Sequence, residues 1–125
     1  MYMASGTSRP NMTLLWENPA RSNEFAAQSV SFDASKYDAF LVLFFMQSGY
    51  KLYSAVALKG ENTALPFTYV DPNYAFLHGT RRVTIRDTGA TFENNYISAR
   101  MATGAEGAAW ERNDMGQPYR IYGLK

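Results

Sequence analysis

The apolar and polar positions of this chain recur with the short periods that are typical of β-strands. Eight apolar residues stand in an unbroken row at 39–46, with aromatic side chains and a valine among them, and Ser48-Gly49 follows closely. A strand with one wet face alternates between apolar and polar residues, so this row predicts a strand covered on both faces. It is too short to cross a membrane, which takes about 20 residues.

Further short segments with strand character are separated by turn residues. The clearest hairpin has an alternating arm at 82–86, a turn at 87–90 and a return at 91–93. The other predicted strands are 13–16, 29–32, 37–46, 50–58, 67–70, 74–77, 96–101 and 119–123. No segment carries a 3.6-residue stripe over ten positions. The pattern predicts an all-β fold, an antiparallel β-sandwich (jelly-roll-like) of about eight main strands with little helix.

The length of 125 residues suits one domain with its own core. Residues 1–11 are small and polar, and we expect a flexible N-terminal arm there. Residues 12–125 are then a single β-sandwich domain. The N-terminus has no basic region followed by an apolar stretch, which predicts synthesis in a cytoplasm without a signal peptide.

Composition narrows the function classes. A net charge of +1 argues against a nucleic-acid partner, which usually requires a clustered basic surface. The only Arg pair is Arg81-Arg82, and in a strand Arg82 shares a face with Arg86, so two or three charges lie together; we interpret them as a solvated strand face. There are no cysteines, so disulfides and thiol chemistry are excluded. Only 18% of the residues are charged, and there are nine Tyr, eight Phe and two Trp. This is typical of contact surfaces, although strands favour Tyr and Phe in any case.

No motif for catalysis is visible. The glycines form neither a phosphate loop nor a dinucleotide fingerprint, and no nucleophile elbow is present. The single His78 lies beside Gly79 without a His or Cys at ligand spacing, which favours a turn residue over a metal ligand. The sequence therefore predicts a protein that is not an enzyme and that has no cofactor and no metal site.

Two groups of residues have the chemistry of binding sites. Trp110, Arg112, Asn113 and Asp114 follow a Gly/Ala-rich stretch, and a Trp flanked by polar groups can stack on a sugar and hydrogen-bond it. The alternative is that Trp110 is a core or interface plug. The second group comprises Tyr50, Tyr53, Tyr69 and Tyr74, which would form an amphipathic platform if the rings cluster. The alternative is that they are ordinary strand residues.

Several segments in order resemble a known module. They are Leu14-Leu15-Trp16-Glu17-Asn18-Pro19, Phe25-Ala26-Ala27-Gln28, Asp33-Ala34-Ser35-Lys36-Tyr37, the hairpin at 82–92 and the ending Ile121-Tyr122-Gly123-Leu124-Lys125. This order is similar to that of a small C-terminal β-module in tail-fibre, baseplate and head-fibre structural proteins of bacteriophages. The sequence departs from the pattern of this module at two places. Leu124 stands where Ile is usual, and the stretch at 106–114 is acidic and contains a Trp.

The resemblance implies a virion protein that is synthesised in the host bacterial cytoplasm. It would assemble with itself, as a homotrimer, and with other virion proteins. A receptor-binding role implies attachment to a host cell-surface glycan, without membrane insertion. The alternatives are an architectural capsid decoration or head-fibre protein without a receptor, and a small glycan-modifying enzyme domain.

Together with the predicted strands, this resemblance suggests what covers each face of the strand at 39–46. Leu41, Leu43 and Phe45 are predicted to pack on the sheet that carries Val30, Phe32, Val83 and Ile85. The opposite face of the strand is predicted to be an oligomer interface, formed by Phe40, Val42, Phe44 and Met46.

Overall fold

The computed structural model describes residues 11–20, 24–47, 49–71, 74–101 and 110–125, with the side chains of 71, 74–76 and 99–101 outside the description. Within these ranges the chain forms ten β-strands and no helix. The strands are β1 (Met12–Glu17), β2 (Gln28–Ser31), β3 (Ala39–Gln47), β4 (Tyr50–Leu58), β5 (Thr63–Asp71), β6 (Tyr74–Arg86), β7 (Gly89–Phe92), β8 (Tyr96–Met101), β9 (Trp110–Glu111) and β10 (Met115–Leu124). The prediction of an antiparallel all-β fold is confirmed.

The first sheet has four antiparallel strands in the order β1-β10-β3-β4. β3 lies between β4 and the C-terminal strand β10, with Val42 opposite both Ala55 and Ile121. The chain thus places its last strand in the interior of this sheet, between β1 and β3. The register of β1 on β10 shifts between Leu14 and Trp16, and that of β10 on β3 shifts between Pro118 and Arg120.

The second sheet is built around the 13-residue strand β6. β5 pairs along one edge of β6, while β8 and β7 pair along successive parts of the other edge. β2 extends the sheet beyond β7, and β9 extends it beyond β8. The hairpin predicted at 82–93 is present as the end of β6, a two-residue turn at Asp87-Thr88 and β7.

The core lies between the two sheets. Alternate residues of β3 and β6 point into it, and the aromatic rings of Trp16, Phe25 and Phe92 pack together at one end. Its fully buried apolar side chains include Phe40, Val42, Phe44, Leu65, Phe67, Val83, Ile85, Phe92, Ile97 and Ile121. Packing of this kind holds the fold in a chain without disulfides.

The structure corrects the assignment of the two faces of β3. Phe40, Val42, Phe44 and Met46 are buried in the core of the chain itself, so they are not a surface that another subunit contacts. The residues between them, at 41, 43 and 45, point away from the core and are half-buried. The sequence predicted the reverse because both sets are apolar, and an unbroken row gives no parity.

Strand β6 corrects two further expectations. The segments 74–77 and 82–86 belong to one continuous strand, and His78 lies within it rather than in a turn. Gly79 is tolerated there because its neighbours occupy the space of a side chain: a Cβ would come within 2.5 Å of Phe67 Cζ. Arg81 is fully buried, whereas Arg82 and Arg86 are exposed as expected.

The predicted arm falls mainly on residues 1–10, which lie outside the described residues. The structure describes ten strands against the about eight short strands expected, and among them only the two-residue β9 at the sheet edge has no counterpart in the predicted segments. In the part of the chain that is described, no helix is long and apolar enough to span a membrane.

Candidate functional site

The outer face of the second sheet is polar, and we call it the polar face. It is defined by the residues of β2, β5, β6, β7 and β8 that alternate with the core positions. Its members include Ser29, Pro66, Thr68, His78, Thr80, Arg82, Thr84, Arg86, Thr91, Tyr96 and Ser98. This is the composition expected for the solvated side of an antiparallel sheet.

Tyr96 places an aromatic ring on the polar face, and the residue is 51% exposed. It borders two adjoining hollows. The larger, which we call the Tyr96 hollow, has a volume of about 480 Å³ and is lined by Ala27, Gln28, Ser29, Thr91, Phe92, Glu93, Asn94 and Tyr96. The smaller has a volume of about 320 Å³ and lies between β5 and β8, beside His78 and Ser98. An exposed aromatic ring flanked by hydroxyl, amide and carboxylate groups is suited to stacking on a sugar ring while hydrogen-bonding its hydroxyls.

Hydrogen bonds hold the polar side chains of the Tyr96 hollow in place. The hydroxyls of Ser29 and Thr91 are 3.0 Å apart. Asn94 Oδ1 accepts a hydrogen bond from the Ala27 backbone N–H at 2.8 Å. Glu93 Oε2 accepts one from Asn62 Nδ2, also at 2.8 Å. A carboxylate can accept about four hydrogen bonds and an amide NH₂ can donate two, so Glu93 and Asn94 retain capacity toward a ligand.

The predicted group around Trp110 forms one cluster, but its polar atoms form hydrogen bonds with other residues of the chain. Arg112 and Asp114 form a two-pronged ion pair, with Nε to Oδ1 and NH2 to Oδ2 both at 2.7 Å. This pairing, led by the hydrogen bonds from Arg112, lowers the pKa of Asp114 below its usual value. Trp110 is half-buried and packs against the core. The core-plug alternative therefore describes Trp110 better than an exposed sugar platform does.

Asn113 is buried and ties three parts of the chain together. Its Oδ1 accepts a hydrogen bond from the Asn95 N–H at 2.9 Å, and its Nδ2 donates to Asn94 Oδ1 at 3.1 Å. Its backbone carbonyl accepts from the N–H of Phe25 at 2.9 Å and from Gln117 Nε2 at 3.2 Å. These contacts leave Asn113 as a structural residue beneath the Tyr96 hollow rather than a ligand contact.

Three of the four predicted tyrosines lie at one end of the sandwich, where β4 and β5 meet. The rings of Tyr50 and Tyr69 contact each other edge to face, with centroids 6.3 Å apart. Tyr53 stacks on Phe44, and its hydroxyl donates to the Thr68 carbonyl at 2.6 Å. Tyr50 remains 48% exposed. The side chain of Tyr74 lies outside the described part of the structure. Because Tyr53 is committed to the core, only part of this group is available to a ligand.

His78 and the carboxylates form no cluster with metal-ligand geometry among the described residues. His78 Nε2 lies 2.7 Å from Ser98 Oγ, on the polar face between β5 and β8.

The Tyr96 hollow has no counterpart in the sequence patterns. Its lining comes from the start of β2, the end of β7 and the start of β8. Only the pairing of β2 with β7 and the packing of β8 against β6 bring these segments together. The exposed Tyr96 at the beginning of a strand was the one local signal that could have suggested the site.

No family model matches the sequence, and neither a curated protein nor a solved structure matches it.

Proposed function

We propose that this chain is a non-catalytic bacteriophage virion module that attaches to a host cell-surface glycan through the Tyr96 hollow. The observation that carries the ligand is the half-exposed Tyr96 ring beside side chains that hydrogen bonds already orient. Preorganised groups lose less entropy on binding, so a neutral ligand that makes only weak contacts, such as a saccharide, can still bind. The order of segments from Leu14 to the C-terminus supports the bacteriophage assignment.

The Tyr96 hollow is shallow, so a single site is expected to bind a sugar weakly. Several linked copies in one virion raise the overall strength of attachment without new contacts, by about 10² to 10⁴. A weak site on a repeated module is therefore consistent with attachment.

A glycan array tests the ligand. We expect the wild-type chain, presented in several copies on beads, to bind a subset of bacterial surface glycans. Tyr96→Ala should reduce that binding at least about tenfold, because stacking and hot-spot aromatic contacts contribute about 1–2 kcal/mol or more. Tyr50→Ala is the matched control, since it removes a similarly exposed tyrosine from the other sheet.

Binding that is equal in wild type and Tyr96→Ala would contradict the Tyr96 hollow as the site. An array without hits would favour the second candidate function, an architectural capsid decoration or head-fibre protein. That alternative is favoured by the apolar outer face of the first sheet, which suits assembly more than attachment. Stable association of the chain with emptied capsids would then be expected.

A further inference from the structure

The outer face of the first sheet is apolar where β3 and β4 run side by side. We define the apolar face by Leu41, Leu43, Phe45, Leu52, Val56 and Leu58, which oppose one another in pairs or neighbouring rows. On β4 the side chains of Leu52, Val56 and Leu58 are 54%, 58% and 55% exposed. Ser54 is the only polar residue of β4 in these rows. The same rows continue onto β10 and β1 with Tyr122, which is already buried, and Leu14, which is half-buried.

The two sheets belong to the same chain, yet the outer side of the second sheet is polar. The overall composition of the chain therefore does not explain why the outer side of the first sheet is apolar. There, Thr84 pairs with Thr91, His78 with Ser98, and Ser29 with Thr91. An antiparallel sheet with one solvated side is expected to look like this, whereas a sheet with two apolar sides is expected to be covered twice. In the part of the chain that the structure describes, the core covers the inner side of the first sheet, while Leu52, Val56 and Leu58 on its outer side stay more than half exposed. The core therefore explains the inward half of the unbroken row at 39–46, and the outward half calls for a further contact.

We propose that another copy of this chain covers the apolar face. With a strand spacing of about 4.8 Å and about seven residues of about 3.4 Å, the outer side of the four-stranded sheet measures about 450 Å² in plane, and β3 and β4, which carry the apolar face, supply about half of it. This is less than the ~800 Å² per partner of a stable complex of standard size, so we expect the association to be weak. A second sheet of the same dimensions fits this area by stacking about 10 Å away.

The charges on the sheet also favour a copy over a charged partner. No residue of the apolar face is ionisable. The charged Arg120 is opposite Leu43 and is paired within the chain: its Nε donates to Glu17 Oε1 at 2.9 Å and its NH1 donates to Tyr122 Oη at 3.2 Å. A charged partner would leave its own groups unpaired on this surface. An identical apolar face leaves none.

Light scattering on the full chain tests the proposal. At about 100 µM we expect the mass to rise toward twice that of the 14.1 kDa protomer. Val56→Lys should raise the dissociation constant at least about tenfold, because it brings a charge into the contact. Ser31→Lys is the matched control on the exposed edge strand β2 and should leave the mass unchanged. A monomeric wild type, or an equal effect of the two variants, would overturn the proposal.

A second measurement uses the absence of cysteine from the sequence. In single variants Val56→Cys and Ser31→Cys, we expect a thiol reagent to label position 56 more slowly as the protein concentration rises, while the labelling of position 31 stays constant. Deleting residues 1–10 should leave the assembly intact. A deletion that converts a monomer into an assembly would overturn the proposal, since the N-terminal segment would then be the occupant. Because Tyr96→Ala should not change the mass, failure here is distinct from failure of glycan binding.

Discussion

At the scale of single residues, the buried Arg81 is the most consequential feature. Its guanidinium lies in the core over the Phe25 ring and donates to three backbone carbonyls: Nε to Gly116 at 2.8 Å, NH1 to Glu93 at 2.8 Å and NH2 to Met115 at 3.2 Å. Burial lowers the pKa of Arg81 to about 10, which still leaves it charged at neutral pH. Arg81 thus fastens the end of β7 and the start of β10 to the central strand β6.

Replacing Arg81 should destabilise the fold strongly, because the three carbonyl groups that accept its hydrogen bonds remain in the core without a donor. In Arg81→Met, three carbonyl oxygens lose their donors inside the core, and we expect the free energy of unfolding to fall by about 3–5 kcal/mol. Arg82→Met is the control: its exposed side chain hydrogen-bonds Asn62 at 3.0 Å, and the loss should stay within about 1 kcal/mol. Urea denaturation measures both. Equal midpoints for the two variants would refute the bracing role of Arg81.

Sequence reasoning placed Arg82 and Arg86 on one solvated face of a strand and left open whether Arg81 adds a third charge there. The strict alternation of the hairpin indicates the burial of Arg81, because Arg81 points to the same side of the strand as the inward Val83 and Ile85. The pattern alone could therefore have predicted that Arg81 is buried. What it lacked was the source of the acceptors, which come from carbonyls 12 to 35 positions away.

At the scale of elements, local patterns predicted the hairpin of β6 and β7 well, because its turn and both arms lie within about a dozen residues. They failed at Gly79, where a glycine suggested a strand end and the structure has the middle of β6. Phe67 from β5 and Ile97 from β8 fill the space above that glycine. Neither neighbour is local, so a single sequence could not distinguish a packed glycine from a break.

Strand β3 allows the two apolar faces to be compared within one element. Phe44 is fully buried and Leu43 points outward. Phe44→Asp places a carboxylate in the core without a partner, and we expect a loss of more than about 4 kcal/mol, enough to unfold much of the protein. Leu43→Asp should remain folded and lose association. Far-UV circular dichroism and light scattering separate the two results. A folded, monomeric Phe44→Asp would contradict the core assignment.

At the scale of the whole molecule, the two sheets have different outer surfaces: one is apolar on β3 and β4, and the other is polar and carries the Tyr96 hollow. The all-β class follows from periodicity, which is a local property. Two features depend on residues far apart in the chain: the pairing of β10 with β3, and the assembly of the hollow from β2, β7 and β8. Local sequence patterns therefore could not predict them. This arrangement separates the proposed surface for assembly from the proposed surface for attachment.

If copies of the chain pack through the apolar face, stability depends on protein concentration. Association favours the native state by mass action, and for a dimer a tenfold change in concentration shifts the free energy by about 0.7 kcal/mol per protomer. With an unfolding entropy of about 2.1 cal/mol/K per residue, 125 residues convert that into about 3 °C of thermal midpoint.

Scanning calorimetry at about 1, 10 and 100 µM should therefore show the wild-type midpoint rising by about 3 °C per tenfold step. Val56→Lys should show a constant midpoint, because its lysine at a position that is 58% exposed disturbs the contact and not the core. Ser31→Lys should behave as the wild type. A wild-type midpoint that stays constant over this range would mean that the outer side of β3 and β4 faces water in the native state.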